Sequence, residues 1–188
     1  MNHLDRPLRR AAPGPLVPQS LMKELDRLRR NEEKLAELYP AFAVRIRRVI
    51  EALESAGIRP RIQEAYRPLA EQLRAYRSGR SQVRFGFHNV TGAEGEKEAL
   101  AVDLLDDDAP LSPSTSYLLR LAAEARAQDL RTGLPWGLPA RQRQTVEKAV
   151  AERNFAARIR PGWDPTHVEP AGLTPAEAHS GKRPVWKG

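Results

Sequence analysis

The sequence predicts an α+β fold, with a small, mainly antiparallel sheet flanked by helices. Three observations lead there. Two amphipathic helical patterns come early in the chain. Short apolar or alternating runs near residues 58–67, 99–106 and 167–170 have the character of strands. Strands and helices interleave irregularly, without the βαβ repeat that would make the sheet parallel. The 188 residues suit one domain with accessory segments, and no internal repeat is apparent.

Residues 1–19 contain Pro7, Pro13, Pro15 and Pro18 and are expected to form an extended arm. Ser20 is expected to cap a helix with Leu21, Leu25, Leu28, Leu35 and Leu38 along one stripe. A second helix follows Pro40, turning Phe42, Ile46, Val49, Ile50 and Leu53 inward and stopping at Gly57. Residues 20–57 therefore read as a helical hairpin packed on the remainder. IRPRIQEAYR (58–67) alternates as a strand that ends at Arg67, and Pro68 opens a short helix that Gly79 closes. ALAVDLLD (99–106) reads as a buried strand. Residues 112–130 read as a helix capped by Ser112, with Pro113 in its first position and Leu118, Leu121, Ala122 and Ala125 inward. GLPWGLP breaks the chain, a basic helix spans about 140–157, and HVEP (167–170) is a last short strand. Residues 171–188 read as a polar tail with little to bury.

Composition narrows the chemistry. There is no cysteine, which excludes a disulfide scaffold, a thiolate metal site and a Cys nucleophile. The net charge of +7 favours polyanionic partners such as nucleic acid, anionic lipid or the anionic polymers of a bacterial wall. Nucleic acid is the less favoured of these: no known binding motif is present, and 6% aromatic content leaves few stacking platforms. A non-enzymatic basic protein binding nucleic acid is therefore the alternative class. No apolar run is long enough to span a membrane. The first residues lack the apolar stretch of a secretory signal, so synthesis in the cytoplasm is expected.

Four histidines are present: His3, His88, His167 and His179. His3 and His179 fall in segments expected to be mobile. A hydrolytic zinc site needs three ligands and an open position, and two imidazoles with one carboxylate form an established set. It also needs a carboxylate beside the metal to take a proton. His88, Asp103 and His167 can supply the ligands, and Asp164, three residues before His167, can supply the base. Asp103 interrupts an apolar run, where a carboxylate is costly to bury without a positive partner. That partner could be a metal or an arginine, or strand alternation could point Asp103 to solvent. Arg67 could present its guanidinium to a cleft or pair with Glu71 on the surface.

Three blocks together resemble the zinc-dependent peptidoglycan peptidases of the Hedgehog/DD-peptidase fold. That family includes VanX- and VanY-like D-Ala-D-Ala peptidases and phage L-alanoyl-D-glutamate endopeptidases. The blocks are EAYRPLAEQLRAYRSGRS, FGFHNV followed by ALAVDLLD, and GWDPTHVEP, in family order across about 58–170. The resemblance implies a zinc peptidase domain over 58–170 that hydrolyses a D-amino-acid-containing bond in peptidoglycan stem peptides. It implies zinc held by His88, Asp103 and His167, Asp164 as general base, Arg67 on the scissile carbonyl or a substrate carboxylate, and Glu169 orienting an imidazole. Trp136 and Trp163 are expected near the pocket wall. The resemblance further implies an endolysin-like enzyme that reaches the wall by holin-type release, or a catalytically dead wall-binding domain of the same fold. Two departures from the family pattern stand out. Fourteen residues separate His88 from Asp103 where the family usually has six, and Asp164 stands where many members have Glu.

Overall fold

The computed structural model describes residues 18–186. Nearly all of the Pro-rich arm, with His3, and the last two residues of the tail lie outside the described residues. The fold is α+β, as the sequence predicts. Four strands, β1 (Pro60–Glu64), β2 (Val102–Asp106), β3 (Leu130–Gly133) and β4 (Asp164–Pro170), form one antiparallel sheet in the order β1-β2-β4-β3. The helices among the described residues are α1 (Gln19–Leu35), α2 (Pro40–Ser55), α3 (Leu69–Arg77), α4 (Thr115–Ala127), α5 (Ala140–Ala151) and α6 (Pro175–His179). None of them is long and apolar enough to cross a membrane.

Strand alternation divides the sheet into two faces. Ile62 opposite Leu104, and Val102 and Thr132 opposite Val168, are buried on one face. Phe42, Ile46, Val49 and Leu53 of α2 and Leu118, Leu121 and Ala125 of α4 join the same core, with the inward residues predicted for both helices. The residues in between form a polar row across the other face. Glu64 pairs in register with Asp103, Asp103 with His167, and Glu169 with Arg131. The sheet thus gathers five chemistry-bearing side chains from distant parts of the chain.

Helix α1 departs from its predicted stripe in its first half, whereas Leu35 and Leu38 are buried as predicted. Leu21, Leu25 and Leu28 are exposed, while Arg27, Asn31 and Leu35 are buried. The surface that α1 covers explains this. It lies along the free edge of β1, whose backbone groups need hydrogen bonds, not hydrocarbon. Asn31 donates to Pro60 O at 3.0 Å and accepts from Ile62 N at 2.8 Å, imitating a neighbouring strand, and Arg27 adds a 2.6 Å bond to Pro60 O. Ser20 also does not cap the helix, which begins after Pro18 without a side-chain cap.

Other boundaries shift for local reasons. β1 ends at Glu64, so Arg67 lies in the following loop. Ser114, not Ser112, caps α4 by accepting from Tyr117 N at 3.1 Å. α4 stops at Ala127, Asp129 turns the chain with φ 55°, and Leu130–Gly133 forms the unpredicted strand β3. α5 stops at Ala151, followed by Arg153 at φ 51°. β4 begins at Asp164, earlier than predicted, so Asp164 and His167 lie on one strand.

The C-terminal segment is not a polar tail with little to bury. Leu173 and Ala178 are buried, and α6 carries a capping box between Thr174 and Glu177. Trp186 stacks on Phe42 with ring centroids 6.3 Å apart, under the Arg45 guanidinium. Arg183 reaches Glu98 at 2.6 and 2.8 Å and Thr91 O at 2.8 Å. His179, expected to be mobile, packs edge-on against Phe85.

Candidate metal centre

Each residue of the cluster is held by a separate backbone device. Asp103 and His167 sit opposite each other on β2 and β4. His88 lies in a one-turn 3-10 segment, Phe87–Asn89. Buried Phe87 anchors that turn, its carbonyl accepting from Leu100 N at 2.9 Å. His88 O accepts from Arg67 N at 2.9 Å, and Asn89 Nδ2 donates to Arg67 O at 2.6 Å, tying the His88 turn to the Arg67 loop. The long connection from His88 to Asp103 does not separate the two. It folds back through a Thr91–Lys97 bridge, is held by Arg183, and leaves His88 Nε2 3.6 Å from Asp103 Oδ1.

Hydrogen-bond chemistry assigns the tautomers. A carbonyl only accepts, so the 2.6 Å contact to Ala65 O makes His88 Nδ1 the donor and turns the lone pair of Nε2 inward. His167 Nε2 donates to Glu169 Oε2 at 2.9 Å, leaving Nδ1 to face inward. Three atoms converge: His88 Nε2, His167 Nδ1 and Asp103 Oδ1, separated by 3.3, 3.2 and 3.6 Å. Ligands of a tetrahedral zinc with bonds of about 2.0–2.1 Å lie about 3.3–3.4 Å apart, so these edges fit such an ion. The three residues could therefore hold a metal. Asp103 belongs neither to the core nor to open solvent: alternation places it on the polar face, against two imidazoles.

Electrostatics bear the mark of this crowding. Burial opposes the charge on His167, but hydrogen bonds to Asp103 and Glu169 outweigh it and raise its pKa to about 9. Burial likewise works against the Asp103 carboxylate, yet its two histidine partners hold its pKa well below the ordinary range. Asp164 is pushed the other way, by burial first and by the Asp103 charge second. Its Oδ2 lies 3.9 Å from His167 Nδ1, outside hydrogen-bond range.

A cleft of about 450 Å³ opens over this cluster, lined by Asp164, Arg67 and the exposed indole of Trp163. Trp136 also lines it and packs 5.1 Å from the His167 ring and 5.6 Å from Trp163. Both tryptophans thus occupy the wall where the sequence places them. Arg67 is not paired with Glu71. Its Nε donates to Glu64 at 2.7 Å, a second nitrogen forks onto the same carboxylate, and its third donates to Gln72 Oε1 at 2.7 Å.

No family model matches the chain, and no curated protein matches it. Among solved structures it is similar to the L-Ala D-Glu endopeptidase ChiX of Serratia marcescens. The two share 20% identity over 76% of this chain and 86% of that one, with a TM-score of 0.49.

Glu64 and Arg131 are not singled out by sequence reasoning, and Gln72 enters there only as the glutamine of the first block, with no role. Gln72 is 2% exposed, with Nε2 donating to Ser81 Oγ at 2.9 Å and Val83 O at 2.6 Å, so it is locked while it holds Arg67. Arg131 grips Glu169 at 2.6 and 2.8 Å from β3, the strand the periodicity does not reveal. Cross-strand pairing with Glu169 was the only signal for Arg131, and it needs the register.

Proposed function

We propose that this chain is a zinc metallopeptidase that hydrolyses a D-amino-acid-containing amide bond in the stem peptides of bacterial peptidoglycan. The observation that carries the reading is the 3.2–3.6 Å triangle of His88 Nε2, His167 Nδ1 and Asp103 Oδ1 beneath an open cleft. The three sequence blocks that resemble the peptidoglycan peptidases supply the substrate class.

In this reading His88, Asp103 and His167 hold the ion, and a bound zinc supplies a Lewis acid that makes water nucleophilic at neutral pH and polarises a carbonyl. Asp164 accepts the proton of the attacking water and returns it to the leaving amine; its raised pKa suits a group that must do both. Arg67, fixed by Glu64 and Gln72, steadies the scissile carbonyl oxygen or a substrate carboxylate. Glu169 holds His167 in the tautomer that turns Nδ1 inward, and Arg131 holds Glu169. Anionic wall polymers are a fitting partner for the +7 chain. The site of action is the bacterial wall, reached by an endolysin-like release.

Metal content of the purified chain beside His167→Ala tests the centre. About one zinc per chain, lost in the variant, is the expected result. Mass spectrometry of peptidoglycan digested by the zinc-loaded chain then identifies the bond. A chain that takes up no zinc, or that takes it up and leaves stem peptides intact, would overturn the proposal.

A further inference from the structure

A second cavity of about 490 Å³ adjoins the cleft over the cluster, and the two share Arg131 and Trp136 as a common wall. α4, β3 and α5 enclose it. Its floor is apolar, built on Leu134 and Val146, both buried. Its rim is cationic: Arg126 from α4 and Arg143 from α5 line it, with Glu147 as the single acid. Arg131 is already committed to Glu169. Arg126 and Arg143 differ, because among the described residues neither side chain has an ion pair or hydrogen bond. Arg27, Arg59, Arg61, Arg67 and Arg153, by contrast, each pair with a carboxylate.

Two unpartnered guanidiniums above an apolar floor favour a ligand with matching halves. A carboxylate meets the rim, since guanidinium binds it through charge-assisted and bidentate hydrogen bonds. An aliphatic arm covers the floor and displaces water from it. We propose that this cavity is a substrate subsite that takes a free carboxylate borne on an aliphatic arm, as in an acidic residue of a short peptide, while the scissile bond lies at His88, Asp103 and His167. The shared wall makes the two cavities neighbouring stations for one extended peptide, with Trp136 between them. The inference rests on the peptidase reading for the identity of the peptide but on its own residues for the carboxylate.

The test uses the full chain, zinc-loaded, and two synthetic stem tetrapeptides, L-Ala-γ-D-Glu-L-Lys-D-Ala and the same peptide with only the free carboxylate of its glutamate amidated. NMR titration follows the Nε–H signals of Arg126 and Arg143 and the indole N–H of Trp136, and mass spectrometry follows cleavage in parallel. The acid form is expected to move the three signals and to bind about tenfold more tightly than the amide. Arg126→Ala/Arg143→Ala, both at exposed positions, is expected to abolish that preference with the fold unchanged by circular dichroism. Equal binding of acid and amide, or a preference that survives the double substitution, would overturn the subsite. Cleavage without acid preference removes the subsite and leaves the peptidase reading. Acid preference without cleavage removes the peptidase reading and leaves a carboxylate-binding cavity.

Discussion

The position of each proton decides what the cluster residues can do. In the metal-free chain His167, with its pKa raised to about 9, is an imidazolium clamped between Asp103 and Glu169. A group raised above its ordinary value of 6.5 contributes stability that is complete below that value and is lost as pH climbs through about 9. Asp103, lowered, contributes above its ordinary 3.8 and loses that contribution in acid, so the same pairing is strongest between 3.8 and 6.5. Melting temperatures in chelator are therefore expected to fall from pH 6.5 to 9. Zinc affinity is expected to rise over the same interval, because the ring must shed its proton to offer Nδ1. A chelated chain that falls no further than His167→Ala across that window would contradict this. Asp164→Asn separates proton transfer from metal binding: zinc content is expected to stay near wild type while kcat drops by about 10²–10⁴-fold. Retained turnover would exclude Asp164 as the base. These roles could be drafted from sequence because the chain has only four histidines, and two of them stand in blocks that resemble the peptidoglycan peptidases. Glu64 and Arg131 were illegible because nothing local distinguishes them from the many other charged residues, whereas Gln72 stands in the first block and lacked only a role, which needs the buried contact to Arg67.

At the scale of elements, the legible helices were those whose buried face meets hydrocarbon. α2 met α4 and the core face of the sheet, and its predicted inward residues are its buried ones. α1 met a strand edge, which rewards amide and guanidinium groups, so a reading based on apolar periodicity turned Leu21, Leu25 and Leu28 inward where they are exposed, although Leu35 and Leu38 of the same stripe are buried. β3 escaped for a different reason: four residues with a single leucine carry no period, and the helical pattern of α4 runs straight into them. The edge role of Asn31 is open to measurement. Asn31→Leu keeps the branched outline of the side chain and removes both bonds, leaving Ile62 N without its side-chain partner and Pro60 O with Arg27 alone. Unfolding in urea is expected to show a loss of about 1–3 kcal/mol, which an apolar contact does not recover. A neutral or stabilising result would mean that α1 covers β1 by simple burial and that the hydrogen bonds are incidental.

Across the whole molecule, the ends of the chain brace its centre. The connection between His88 and Asp103 is long for the family it resembles, yet the two side chains meet. Two distant residues hold that connection in place: Glu37 takes Lys97 at 3.0 Å, and Arg183 takes Glu98 and the carbonyl of Thr91. Trp186 then pins the Arg183 segment to Phe42 in the core. No periodicity could announce this, since the last residues look polar until their partners across the fold are known. The brace predicts that a residue far along the chain from the cluster governs metal affinity. Arg183→Ala removes the ties to Glu98 and Thr91 while touching no proposed ligand, and a stability loss of about 1–3 kcal/mol is expected from the part-buried pair. A loosened connection lets His88 drift from Asp103 and opens the triangle of donor atoms, so zinc affinity measured by competition with a chromophoric chelator is also expected to fall. Lysine at 183 keeps the charge but loses the fork, and is expected to restore only part of both losses. If Arg183→Ala lowered stability and left zinc affinity unchanged, the His88 turn would hold its position through Phe87 and Arg67 alone, and the C-terminal brace would serve the fold without reaching the metal centre.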